Sequence, residues 1–237
     1  MRVLILGASS AVGSALASEF APGNSLILAG RNRERLAEAE DACRRAGALH
    51  ATSVAADLVA GVGSLLQAVE GPRIDLIVDA ASAASATRDD KIEAGQLQGL
   101  LAADLTSKIE LLDHLLERQA EAPGVIFVST VLTLVKSPGR TVYASLKCLN
   151  EAYLKTTRKR RPDLRLLVVY VGTVIDPRNP SGKASRLARA VGKAFRAGKS
   201  RMSFGLSGAL LVGLFYVQPV LFLFAISVQR RLRRVRS

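Results

Sequence analysis

Short apolar runs rich in Val, Ile and Leu alternate along the chain with longer segments of helical periodicity. The first run, Val3-Leu4-Ile5-Leu6, is continuously apolar, which is typical of a strand buried on both faces of a parallel sheet. We predict six such strands, at residues 3–6, 25–29, 50–56, 74–78, 125–128 and 164–170. Because helical segments separate them, the pattern indicates an α/β fold with a doubly wound parallel sheet.

The first predicted strand ends in a turn of small residues, before a helical pattern that runs from Ser14 to Phe20. Glycine lets an anion approach the backbone, and a helix N-terminus offers it unpaired N–H groups. We interpret the turn as a dinucleotide diphosphate site, although an ordinary strand-to-helix turn has a similar composition. Its candidate binding residues are Gly7, Ser9, Ser10, Ala11, Val12 and Gly13.

The second predicted strand leads into Gly30-Arg31-Asn32-Arg33. The adenosine ribose of a dinucleotide would lie at this strand end, where an acidic residue suits a 2′-hydroxyl and an arginine suits a 2′-phosphate. With Arg31 and Arg33 present and no acid, the sequence predicts NADPH rather than NADH. The alternative is that both arginines are solvated surface charges.

Tyr143 and Lys147 lie four residues apart, so on a helix they share one face. A phenol has an ordinary pKa of about 10, and a neighbouring ammonium favours its ionised form. The pair is therefore a candidate proton-transfer device. Alone it is a weak signal, because this spacing is common on surface helices.

Taken together and in order, the motifs at the strand ends resemble the short-chain dehydrogenase/reductase family. They are Gly7-x-x-x-Ala11-x-Gly13, Asp57-Leu58, Ser82, Ser129-Thr130, Tyr143-x-x-x-Lys147 and Val171-Gly172-x-Val174. The resemblance covers nearly the whole chain and implies a Rossmann-type fold with an NAD(P)(H)-dependent oxidoreductase activity.

The family pattern also implies roles for individual residues. Asp57 and Leu58 would lie at the adenine, and the backbone of Ala80, Ala81 and Ser82 would lie against the cofactor. Lys147 would bind the nicotinamide ribose, and Tyr143 would be the acid–base, its pKa lowered by Lys147 and the cationic nicotinamide. Gly172 and Val174 would complete the cofactor site.

Four positions depart from that pattern. Ala11 replaces the middle glycine of the first turn, Asp104 replaces the asparagine of the proton relay, and Val171 replaces a proline. The hydroxyl that would hold the substrate oxygen is Thr130, thirteen residues before Tyr143, or its neighbour Ser129. A second interpretation follows from these departures: a non-catalytic, NADPH-binding subunit of a membrane complex.

The net charge of +13 is confined to the last third of the chain. Residues 1–157 hold 15 Lys and Arg against 18 Asp and Glu, whereas residues 158–237 hold 18 against 2. Such asymmetry indicates an anionic partner. No aromatic interleaving or recognition helix supports nucleic acid, so we expect anionic membrane lipids. The two cysteines and two histidines form no motif, and we expect neither a disulfide nor a metal site.

No charged residue occurs across the 26 positions from Ser203 to Val228. About 20 apolar residues suffice to cross a bilayer, so we predict an NAD(P)-binding domain at residues 1–200 and a membrane-inserting segment at 201–237. The alternative is a buried core helix. Basic residues on both flanks, and Gln218-Pro219 in the middle, leave a single span and a re-entrant hairpin both open.

Residues 183–199 form a predicted basic helix with Leu187, Val191 and Phe195 on one stripe. It lies either on anionic headgroups or packed on the sheet. This layout resembles the membrane-associated decaprenylphosphoryl-2-keto-pentose reductase-type members of the family. The expected substrate is therefore a polyprenyl-phosphate keto-sugar, or else a long-chain keto-lipid of the 3-ketosphinganine or 3-ketoacyl type, reduced at the cytoplasmic face of a membrane. A partner enzyme or a second copy at the membrane is a further expectation.

Overall fold

A computed structural model of the protein describes residues 1–84, 92–134, 139–172 and 180–205. Within these ranges, seven parallel strands form one sheet in the order β3-β2-β1-β4-β5-β6-β7. The strands are β1 (Arg2–Leu6), β2 (Ser25–Gly30), β3 (His50–Ala55), β4 (Leu76–Asp79), β5 (Gly124–Thr130), β6 (Leu166–Val171) and β7 (Arg201–Phe204). The predicted doubly wound parallel sheet is confirmed.

Helices connect the strands and cover both faces of the sheet. They are α1 (Ala11–Phe20), α2 (Arg33–Arg45), α3 (Gly63–Val69), α4 (Ala94–Leu101), α5 (Ser107–Arg118), α6 (Thr141–Arg160) and α7 (Pro180–Arg196). A single π-helical turn, Ala102–Thr106, joins α4 to α5. Residues 94–118 are therefore a nearly continuous helical segment, with an irregularity around Asp104.

Two apolar layers hold the helices on the sheet. On one face Leu16 of α1, Leu36 of α2 and Leu187 of α7 pack against the strands. On the other face Leu65 of α3, Leu111 of α5 and Leu154 of α6 do the same. The central strands β4 and β6 are buried at every position, as expected for strands covered by helices on both faces.

The strand order reverses between β1 and β4, so the loops after these neighbours diverge to opposite faces. Ligands of open α/β sheets bind in the crevice at the carboxyl ends of the strands at such a point. The loops after β1 and β4 begin at Gly7 and Ala80, and both open onto this crevice.

The C-terminal part of the domain decides one open prediction and corrects another. Leu187, Val191 and Phe195 are buried in the core, so of the two expectations for this helix, the one that packs its stripe on the sheet is confirmed. Arg201–Phe204 pairs with β6 as a seventh strand, so the sheet extends past residue 200 and includes the first residues of the predicted membrane segment. A short strand at a sheet edge carries too few residues for its pattern to stand out.

The rest of that segment, residues 206–237, lies outside the described residues, as does Val174. Within the ranges that the structure describes, no helix has both the length and the hydropathy to cross a membrane.

Candidate active site

A cavity of about 670 Å³ occupies the crevice at the carboxyl ends of the strands. Its size falls within the range of ligand-binding clefts. Most of the predicted site residues line it: Gly7, Ser9, Ser10, Ala11, Val12, Arg31, Asp57, Leu58, Ala80, Ala81, Ser82, Asp104, Ser129, Thr130, Tyr143, Lys147 and Gly172. Gly13 is buried and does not line the cavity. Arg33 is likewise not among the described residues that line it.

The first turn is held by close backbone packing. Gly7 has a φ of +80°, and a Cβ there would lie 2.8 Å from the Cα of Ala81. A Cβ on Gly13 would lie 2.1 Å from the carbonyl oxygen of Gly7. Only glycine fits either position, because a side chain would push the turn away from the β4 loop.

Ser10 begins α1, and its hydroxyl accepts the Gly13 N–H at 3.0 Å. This cap leaves the first N–H groups of the helix, at Ala11 and Val12, directed toward the cavity for an anion. Ala11 is exposed on the wall, so its methyl group is accommodated where the family has glycine.

Arg31 and Asp57 end the neighbouring strands β2 and β3 and are both exposed on the wall. The Asp57 carboxylate accepts the Val59 N–H at 3.1 Å, which shapes the loop after β3. Ser107 of α5 donates to the Leu58 carbonyl at 2.7 Å and so connects this loop to α5.

Tyr143 and Lys147 lie one turn apart on α6 and both face the cavity. Burial is the largest influence on Tyr143 and raises its pKa. A side-chain hydrogen bond with Thr130 and the charge of Arg140 lower that pKa, whereas the charge of Asp104 raises it. Lys147 is not among these influences. The expectation that Lys147 and the cationic nicotinamide together lower the pKa of Tyr143 concerns the cofactor complex and stays a prediction.

The Lys147 ammonium donates to the carbonyl oxygens of Val128 at 2.9 Å and of Ala81 at 3.3 Å. Burial lowers the pKa of Lys147 to about 8. The second influence in the same direction is the positive charge of Lys108 on α5, while Asp79 and Asp104 oppose it.

The two candidate hydroxyls have different surroundings, because successive residues of a strand point to opposite faces. The Thr130 hydroxyl lowers the pKa of Tyr143, and it accepts the Leu132 N–H at 3.3 Å. The Ser129 hydroxyl is buried and has no hydrogen-bond partner among the described residues. Thr130 is therefore the better candidate for a hydroxyl that acts together with Tyr143.

Asp104 holds the β4 loop. Its carboxylate accepts from the Ser82 hydroxyl at 3.0 Å and from the backbone N–H groups of Ala83 and Ala84 at 2.9 and 2.7 Å. Its backbone carbonyl accepts from the amide of Asn150 on α6. The acid is thus fully engaged in shaping the loop after β4.

Four residues of the site were not predicted: Asp79, Lys108, Arg140 and Asn150. Asp79 was assigned to a loop but is the buried last residue of β4. The spacing Asp104-x-x-x-Lys108 was a usable signal, since it places an acid and a base on one helix face. Nothing in the sequence indicates that Arg140 lines the active-site cavity.

The model of the family described as short chain dehydrogenase matches residues 1–174. The chain belongs to the short-chain dehydrogenase family. It is accordingly an oxidoreductase of the short-chain type. The membrane-associated subtype expected from the layout is not shown by any of the comparisons.

Known relatives agree with this assignment. An uncharacterized oxidoreductase of Mycobacterium tuberculosis H37Rv is 29% identical over 213 residues, which cover 83% of this chain and 85% of the relative. A short-chain dehydrogenase from Sphingobium yanoikuyae, solved in complex with NADPH, has a TM-score of 0.78 at 20% identity, covering 93% of this chain and 94% of that one. A 7β-hydroxysteroid dehydrogenase structure has a TM-score of 0.79 at 19% identity and covers 92% of both chains.

Proposed function

We propose that this protein is an NADPH-dependent reductase of a ketone. The observation that carries the proposal is the meeting of Tyr143, Thr130 and Lys147 in the cavity that also contains the first turn. An acid, a hydroxyl that holds the substrate oxygen and a cofactor cradle are the parts that ketone reduction requires.

The residues present fit NADPH. The glycine turn and the start of α1 would take the diphosphate, and Arg31 at the end of β2 would take the 2′-phosphate. The relative from Sphingobium yanoikuyae, which was solved with NADPH, supports the same choice. Bound there, the cofactor supplies a hydride to the carbonyl carbon.

The remaining chemistry belongs to the side chains. Thr130 donates a hydrogen bond to the carbonyl oxygen of the substrate, and Tyr143 gives that oxygen its proton. Because burial raises the pKa of Tyr143, its phenol stays protonated at neutral pH, as an acid for reduction must. Lys147 orients the ribose of the cofactor.

The substrate class proposed first is a polyprenyl-phosphate keto-sugar. Arg140 supports it, because this cation lines the cavity beside Tyr143 and acts on its pKa. A phosphate near the reacting carbonyl gains from such a charge, whereas a neutral long-chain ketone does not. The long-chain keto-lipid remains the alternative.

The same proposal locates the enzyme at the cytoplasmic face of a membrane. Residues on the outer side of α7 and just after it are exposed and basic: Arg186, Arg189, Lys193, Arg196 and Lys199. An uncharged run follows in the sequence from Leu206 to Val228. Basic charge beside an apolar segment favours a surface of anionic lipids.

The test is a Tyr143→Phe variant of the full chain, assayed for NADPH oxidation with a polyprenyl-phosphate keto-sugar. We expect turnover to fall about 10²- to 10⁴-fold, the usual contribution of a positioned acid, with NADPH affinity nearly unchanged. Tyr153→Phe, on the same helix but outside the cavity, is the matched control. Full activity of Tyr143→Phe would reject the mechanism.

Arg140→Ala separates the two substrate classes. With a phosphate-bearing ketone its KM should rise, while with an uncharged long-chain 3-ketoacyl ester its kinetics should match those of the unaltered chain. Tight NADPH binding with no oxidation on either substrate favours the non-catalytic interpretation.

A further inference from the structure

Four charged side chains meet beneath the β4 loop, where the sheet contacts α5 and α6. Asp79 ends β4, Asp104 lies in the π-helical turn, Lys108 belongs to α5 and Lys147 to α6. All four are buried. Two carboxylates therefore face two ammonium groups in a region with little water, where charge imbalance is costly.

Lys108 connects the members of this group. Its ammonium lies 3.0 Å from Asp79 Oδ1 and 3.9 Å from Asp104 Oδ1. It also donates to the carbonyl oxygen of Ala81 at 2.7 Å. The Ala81 N–H in turn donates to Asp79 Oδ1 at 3.1 Å. The Asp79–Lys108 pair therefore binds both the backbone N–H and the backbone carbonyl of Ala81 in the β4 loop.

Lys147 donates to that same Ala81 carbonyl. We propose that Lys108, with Asp79 as its counter-ion, is a positioning residue of the cofactor site: it fixes the Ala81 carbonyl against Lys147 and balances the charge around the Lys147 ammonium. The inference rests on the proposed NADPH site and goes beyond it, because Lys108 does not line the cavity.

Electrostatics support this role. The groups facing the Lys147 ammonium are Lys108, Asp79 and Asp104, with the ring of Phe127 centred 4.9 Å away. The charge of Lys108 lowers the pKa of Lys147, and the charges of both acids raise it. Neutralising Lys108 leaves two carboxylates around one ammonium, so the pKa of Lys147 must rise. Neutralising Asp79 must lower it.

Because the two substitutions should shift the pKa of Lys147 in opposite directions, they distinguish a role in charge balance from a purely structural role. If the pair only held the fold together, removing either partner would weaken NADPH binding at every pH and move no midpoint. If it balances Lys147, the two single variants shift the pH dependence in opposite directions. The double variant, which removes one charge of each sign, returns toward the unaltered chain.

The experiment measures the Kd of NADPH by nicotinamide fluorescence across a series of pH values, using the full chain. For the unaltered chain, affinity should fall as the pH rises through about 8, where Lys147 loses its charge. Lys108→Gln, which keeps a donor for Ala81, should move this midpoint up by about one pH unit. Asp79→Asn should move it down, and the double variant should lie near the original. Lys159→Gln, an exposed lysine of α6, is the control and should change nothing.

Shifts of the same sign in both single variants, or no shift in either, overturn the proposal. Circular dichroism checks that each variant is folded. If Lys108→Gln does not fold, the downward shift in Asp79→Asn and its reversal in the double variant decide the matter, since replacing a buried ion pair as a whole is often tolerated. If the unaltered chain does not bind NADPH, both this proposal and the proposed function are rejected. If it binds NADPH but reduces no ketone, the proposed reaction is rejected and the proposal about Lys108 can still be tested.

Discussion

Thr130 and Tyr143 both line the candidate active site, and the Thr130 hydroxyl lowers the pKa of Tyr143. One strand position earlier, the buried Ser129 hydroxyl has no hydrogen-bond partner among the described residues and is not among the influences on Tyr143. The end of β5 therefore meets the first turn of α6 through Thr130, and this is the hydroxyl that we propose holds the substrate oxygen.

Thr130→Val should therefore reduce kcat/KM for the ketone by about 10²-fold, as the loss of one donor to a developing oxyanion usually does. Ser129→Ala should leave activity almost unchanged and should not lower the melting temperature, because it removes a buried hydroxyl that lacks a partner. Steady-state kinetics and thermal melts of both variants check this. A larger loss in Ser129→Ala than in Thr130→Val contradicts the assignment.

Most of the fold could be predicted because six of the seven described strands carry their own signal in the sequence. Strands such as Arg2–Leu6 and Leu166–Val171 are buried on both faces, and their unbroken apolar runs show it. The short helix Gly63–Val69 and the edge strand Arg201–Phe204 were missed, because seven and four residues are too few for a period to emerge.

Residues of the site could be predicted from the sequence only where a recognisable motif lies near the end of a predicted strand. Tyr143, Lys147 and the glycine turn follow from position along the chain. The choice between Ser129 and Thr130 depends on which face of β5 each one occupies near its end, and the role of Lys108 depends on which loop reaches it. Both are tertiary relationships between segments far apart in sequence, and local spacing does not encode them.

The pH dependence of the reaction should reflect Lys147 and not Tyr143. Burial, aided by Lys108, lowers the pKa of Lys147 to about 8, whereas burial raises the pKa of Tyr143. As the pH rises, Lys147 thus loses its charge while Tyr143 is still protonated. We expect kcat/KM for NADPH, which reports groups of the free enzyme, to be level below about 8 and to fall above it. A profile that stays level through that range is incompatible with the prediction.

Arg31 should set the preference for NADPH. It lines the cavity at the end of β2, whereas Arg33 is exposed but is not among the described residues of the wall. Losing a charge-assisted hydrogen bond to a phosphate costs about 1.5–3 kcal/mol, so Arg31→Ala should raise the Kd of NADPH by at least about tenfold. Its Kd for NADH should not change.

Arg33→Ala serves as the matched control for this measurement, since it removes the same charge two residues away. We expect a small, salt-dependent rise in the Kd of NADPH. An equal loss of NADH and NADPH affinity in Arg31→Ala would show that this arginine does not contact the 2′-phosphate.

For the membrane insertion that we propose, the side of the membrane on which the C-terminal tail lies distinguishes a re-entrant hairpin from a single span. The uncharged run is followed by five arginines, Arg230, Arg231, Arg233, Arg234 and Arg236, and is preceded by the basic end of α7. Because arginine is retained on the cytoplasmic side, we expect both ends of the segment to lie on that side.

The test uses a full chain with the substitutions Ser237→Cys and Cys148→Ser. Cys148, the exposed cysteine of α6, is then absent and Cys43 is buried, so a membrane-impermeant maleimide reacts only with the new cysteine in the tail. In sealed right-side-out vesicles it should label nothing until detergent is added. Labelling before detergent places the tail outside and makes the segment a single span.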